Sequence, residues 1–83
     1  MKTGNISGKR IKERRRAQKL AQVDLAAALA VEYDLDISQA DISKIEHNQR
    51  ILRDYELRAI AQVLEVSMDA LANNDGDLMS EPL

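Results

Sequence analysis

The chain has 83 residues, 45% hydrophobic and 31% charged, the balance of a folded globular unit rather than a disordered segment. That length predicts one domain with a modest core, for which pairing with a second copy would add stability. With no cysteine there is no disulfide framework, thiolate metal site or cysteine nucleophile. The longest apolar run, residues 25–31, is far short of a membrane span, and the N-terminus lacks the apolar stretch of a secretion signal. A cytoplasmic protein that does not meet the membrane is expected.

The net charge of −2 conceals a division. Residues 1–19 hold eight basic groups (Lys2, Lys9, Arg10, Lys12, Arg14, Arg15, Arg16, Lys19) against Glu13 alone, and the remainder holds four against thirteen acids. The split points toward an anionic partner for one face, since local field matters more than total charge, but charge alone favours the simpler reading of a solvated basic helix.

In chain order, residues 1–7 read as a flexible leader and residues 8–18 as a helix of straight-chain helix formers with thin apolar content, Ile11 and Ala17. A second helix spans residues 21 to 31 or 33, with Leu25 and Leu29 at i, i+4 and alanines that allow close helix approach. Residues 32–36 form an acidic connection. Ser38-Gln-Ala-Asp41 fits the capping box, so a short third helix is predicted with Ile42 and Ile45 inward, stopping at His47-Asn48. Residues 49–53 connect to a fourth helix capped by Asp54, whose Leu57, Ile60, Ala61 and Leu64 make an unbroken apolar stripe. Ser67 caps a short fifth helix carrying Met68 and Leu71. Residues 8–72 form the domain, and residues 73–83 read as an acidic C-terminal tail. The predicted fold is all-α, five helices in one bundle around a central helix-turn-helix.

Several runs carry a resemblance. Ile11-Lys-Glu-Arg-Arg15, Leu20-Ala-Gln22, Leu25-Ala26, Ile42-Ser-Lys-Ile-Glu46, Asp54-Tyr-Glu-Leu57, Ile60-Ala61, Leu64 and Val66-Ser67 through Leu71 follow one another in an order that resembles the phage-repressor and Cro type of helix-turn-helix, the XRE regulators. The resemblance implies a sequence-specific, double-stranded-DNA-binding transcriptional regulator, a repressor working as a homodimer with its third helix in the major groove. By position it assigns Ser38, Gln39, Ala40, Ser43 and Lys44 to the bases. Glutamine can pair with adenine N6 and N7, lysine with guanine O6 and N7, and an alanine methyl can touch thymine. It assigns Gln22, Arg15, His47, Gln49, Arg50 and Arg53 to the DNA backbone. Arg15 and Glu46 match an ion pair that fixes the reading helix against the first helix. Lys9, Arg10 and Arg14 are expected to contribute field rather than defined contacts.

The chain departs from that pattern in four places. Ala21 stands where a capping serine or threonine is usual, Lys19 and Asn48 where glycines are usual, and the link from Leu25 to Ile42 is several residues longer than the tight turn. Met68, Leu71, Leu78 and Met79, with Ile51 and Leu52, are the expected contacts between two copies.

Catalysis is not expected: His47 is the only histidine, and no nucleophile, base and orienter are evident. The Gly4 to Arg10 run is too short for a P-loop, and Asp34-x-Asp36-x-Ser38 lacks the glycine of a calcium loop, so neither a metal nor a cofactor is predicted. The alternatives are a protein-interaction module, with the acidic C-terminal region holding a protein partner, and an antitoxin that combines docking with DNA binding.

Overall fold

A computed structural model describes residues 4–72. Five helices follow in order: α1 Gly4–Ala17, α2 Gln22–Tyr33, α3 Gln39–Glu46, α4 Asp54–Leu64 and α5 Met68–Ala72, with no strand among the described residues. α1 packs on α3, α4 and α5, and α2 packs on α3 and α4. The core takes one to three side chains from each of α1, α2, α3 and α5 and five from α4, its larger members being Ile11, Leu25, Leu29, Ile42, Ile45, Leu57, Ile60, Leu64 and Leu71. These are the apolar positions that helical spacing predicts, and their burial is what holds so short a set of helices together.

Each of the first four helices ends on a non-glycine residue in the left-handed region: Lys19, Asp34, Asn48 and Glu65, with φ between 56° and 60°. The next residue donates its N–H back into the helix just ended. Leu20 donates to Arg15 O, Leu35 to Leu29 O, Gln49 to Lys44 O and Val66 to Ala61 O. Orphan carbonyls are satisfied this way, and Leu20, Leu35 and Val66 then fold onto the core, the apolar contact such endings favour. Lys19 and Asn48 therefore occupy backbone positions that glycine would take at no cost.

Four expectations need correcting. The first helix begins at Gly4 instead of Gly8, so residues 4–7 belong to α1 and not to a leader. Their inclusion is explained by Ser7 and Gly8, which are buried. A Cβ on Gly8 would collide with the Ile45 carbonyl oxygen and come within 2.8 Å of Asn48 Oδ1, so a glycine here lets α1 lie directly on the end of α3. The cap of α4 is Arg53 and not Asp54; its start is held by the Glu56 carboxylate, which accepts the Arg53 N–H at 3.0 Å. The link after α2 is not merely an acidic connection, because Ile37 is buried and Leu35 half-buried against the core. Finally, Leu71 is fully buried and Met68 and Leu52 pack on the core of the same chain, which removes Leu71 as a contact between copies. Ile51 remains 85% exposed, whereas Leu78 and Met79 lie outside the described residues, as does the tail 73–83.

Candidate nucleic-acid interface

The third helix is built from its cap upward. Ser38 Oγ accepts the Asp41 N–H at 3.0 Å while Asp41 Oδ2 accepts the Ser38 N–H at 3.1 Å, a reciprocal box that closes the N-terminus of α3. The Asp41 carboxyl is held below its ordinary pKa, first by the Ser38 backbone N–H and then by the Ser38 hydroxyl, with Arg50 and Lys44 adding smaller favourable charge. Ile42 and Ile45 drive one face of α3 into the core. The helical period therefore leaves Ser38, Gln39, Ala40 and Lys44 exposed and Ser43 half-buried on the other face.

A polar chain runs from the interior to that exposed face. Arg15 forks onto Glu46, Nε to Oε2 at 2.7 Å and Nη2 to Oε1 at 3.1 Å, and its Nη1 donates to the Leu20 carbonyl at 2.8 Å. Glu46, though charged, is 5% exposed and Arg15 is 9% exposed. Such burial is tolerable because every charge is matched by a fork or a hydrogen bond. Gln22 Nε2 donates to Glu46 Oε1 at 3.0 Å, and Gln39 Nε2 donates to Gln22 Oε1 at 2.7 Å. Four side chains from α1, α2 and α3 thus hold one another in sequence, the last being an exposed glutamine on α3.

The flanking residues divide into two groups. His47 is exposed and its Nδ1 bonds the Ser43 carbonyl at 2.8 Å; Gln49 and Arg53 are also exposed. Arg50 differs. Its Nη1 and Nη2 fork onto Glu56 at 3.0 Å each, Nη1 also meets the Ile51 carbonyl at 3.2 Å, and Nε stands 3.9 Å from Asp41 Oδ1. Glu56 is 4% exposed, and its carboxyl is held below the ordinary value chiefly by the Arg50 fork, with the Arg53 N–H assisting. The same pairing raises Arg50 further above its already high value.

Arg15 and Arg50 are therefore both bonded within the protein, Arg15 in the ion pair with Glu46 that the resemblance implies and Arg50 in a fork on Glu56. Arg10 is likewise occupied, its Nη1 capping the Ala70 carbonyl of α5 at 2.9 Å, and Gln18 donates to the Leu64 carbonyl at the end of α4. Among the described residues no cluster of His, Asp and Glu is arranged to hold a metal ion, and no helix is long and apolar enough to cross a membrane. Sequence reasoning missed Gly8 and the Arg50–Glu56–Asp41 cluster. For the cluster one signal existed, a glutamate in the first turn of α4, but its arginine lies in a connector with no periodicity of its own.

A short, capped helix with an exposed polar face, packed against the helix before it, is the arrangement that helix-turn-helix DNA-binding proteins share. The model of the helix-turn-helix family HTH_3 matches residues 11–71, and the chain belongs to this XRE-type family. Comparison with curated proteins and with solved structures finds no significant match. The family consists of DNA-binding regulators that are generally not enzymes, and this protein is a DNA-binding transcriptional regulator of that type.

Proposed function

We propose that the protein is a repressor that binds a palindromic operator as a homodimer and reads each half-site with α3 in the major groove. Ser38, Gln39, Ala40, Ser43 and Lys44 meet the base edges. Gln22, His47, Gln49 and Arg53 meet the phosphates, and Arg15 with Glu46 carries the reading helix. Half-sites then lie about 34 Å apart, one turn of the duplex.

The observation that carries this reading is the chain Arg15–Glu46–Gln22–Gln39. One N–H of Gln39 is used on Gln22, so its remaining N–H and its carbonyl oxygen are left as an acceptor–donor pair of fixed orientation. That pair is what adenine N7 and N6 require in the major groove. An exposed glutamine free to rotate would lose rotamer entropy on binding; one already held loses less, so more of the hydrogen-bond energy becomes discrimination.

The test is selection from a randomised duplex pool at two salt concentrations. The expected result is a two-fold-symmetric site whose affinity falls with salt at a log–log slope near −5, the value for about six phosphates. Gln39→Ala is expected to cost about 1–3 kcal/mol and to relax preference at one position of each half-site. A folded protein that enriches no site at low salt would overturn the proposal.

A further inference from the structure

The cluster around Arg50 joins three parts of the molecule that lie apart in the chain. Through Asp41 it meets the capping box of α3, through its own backbone it belongs to the connector after α3, and through Glu56 it meets the first turn of α4. Glu56 is pinned from a second side, because its Oε1 also accepts the Arg53 N–H. α4 carries much of the core, with Leu57, Ile60, Ala61 and Leu64 all buried. A rigid reference is thus extended from the core, by way of Glu56 and Arg50, to the turn that presents Ser38, Gln39 and Ala40. At the other end of the same eight-residue helix, Glu46 is fixed to α1 by Arg15.

We propose that Arg50 is a positioning residue for base readout: held by Glu56 and facing Asp41, it sets the tilt of the N-terminal turn of α3, and it makes no phosphate contact. The fork on Glu56 and the Ile51 carbonyl already engage both terminal nitrogens of the guanidinium, whereas the exposed Arg53 nearby is the better placed of the two for a phosphate. Readout depends on tilt because a bidentate base contact tolerates little displacement; hydrogen bonds weaken steeply as angle and distance depart from the optimum. Lys44, one turn further along α3, is referenced by the Glu46 end instead and should be insensitive.

The inference rests on the DNA-reading proposal, and the experiment separates the two. Full-length Arg50→Lys keeps the charge but loses the fork, and Glu56→Gln keeps the shape and the acceptor for Arg53 N–H. Both are compared with the parent by selection on the randomised pool, by salt titration on the parent's best site, and by amide chemical shifts of the free protein. We expect both variants to shift the amides of residues 38–41 more than those of residues 44–47. We also expect discrimination to fall about tenfold at the position that Gln39→Ala relaxes, with the position read by Lys44 unchanged and the salt slope equal to the parent's. Arg53→Ala, the comparator, should make the slope shallower by about 0.9 and weaken all sequences alike. If Arg50→Lys leaves the base profile and the residue 38–41 amides as in the parent, or if both variants weaken every sequence equally, the inference is overturned. Arg50→Met with a slope shallower by about 0.9 would make Arg50 a phosphate ligand and overturn it as well. A parent chain that enriches no site would remove the DNA reading, and the inference with it.

Discussion

Two arginine–glutamate forks lie at the two ends of α3, and they differ in reach and in exposure. Arg15 and Glu46 are 31 residues apart, and the Glu46 side chain is entirely enclosed. Arg50 and Glu56 are six residues apart, and about a quarter of the arginine side chain (27%) is in water. The first fork joins two helices that only the folded bundle brings together and passes its order outward through Gln22 to Gln39. The second staples a connector to the helix it enters and touches α3 by the weaker 3.9 Å approach to Asp41. One type of ion pair thus serves as a long-range brace in one place and as a local clamp in another. Burial sets the difference in what each contributes, since a charge left unpaired costs most where water cannot reach it.

The sharpest way to break this comparison is to remove each carboxylate's partner in turn. Arg15→Ala, which strands Glu46, should destabilise the fold by about 3–5 kcal/mol, while Arg50→Ala should cost about 2 kcal/mol because water still screens that site. Urea midpoints of the two variants test the order, and equal losses would mean that exposure does not distinguish the forks. Next in size is Gly8→Ala, which presses a methyl group against the Ile45 carbonyl and Asn48 at the end of α3 that carries Glu46. Overpacking of this kind should cost about 1–3 kcal/mol in a thermal melt and displace the amides of residues 45–48.

Smaller and of opposite sign is Glu65→Gly. At φ 59° the glutamate sits where L side chains are strained, and relief of that strain less the added freedom of the unfolded chain should stabilise by up to about 1 kcal/mol. The site lies at the opposite end of α4 from Glu56, so the gain should add to the loss at that fork without coupling.

The smallest effect at neutral pH is seen by acidification. The Glu56 carboxyl has a folded value lowered from the ordinary 4.5 by the Arg50 fork, so its contribution is fully present above 4.5 and is lost as pH falls through the lower folded value. The stability gap between the parent and Glu56→Gln should be constant well above 4.5 and narrow below it. A gap that widened in acid would contradict the assigned pairing.

Much of this was legible in the sequence, and the reasons are local. The stripe Leu57, Ile60, Ala61, Leu64 predicts the buried face of α4, and the Ser38–Asp41 spacing predicts the cap of α3, because both are relations within one or two turns. The Arg15–Glu46 pair was legible only through the family resemblance, since nothing within either helix points to a partner 31 residues away. Residues 4–7 escaped because their membership in α1 depends on Ser7 and Gly8 being covered by other elements. Asp54 was mistaken for a cap because aspartate favours that position, yet Glu56 reaching back to Arg53 N–H sets the true start one residue earlier.

What the sequence determined by itself was the set of helices, their inward faces and the left-handed end at Asn48, all of which follow from interactions no more than about one helical turn long. What only the tertiary structure decided was the allocation of the polar side chains. Arg10, Arg15 and Arg50 are bonded within the protein, whereas Lys44 and Arg53 stay exposed. The physical reason is that a long cationic side chain is held by whatever acceptor lies within hydrogen-bonding reach, and which carbonyl or carboxylate lies there is set by how distant helices pack.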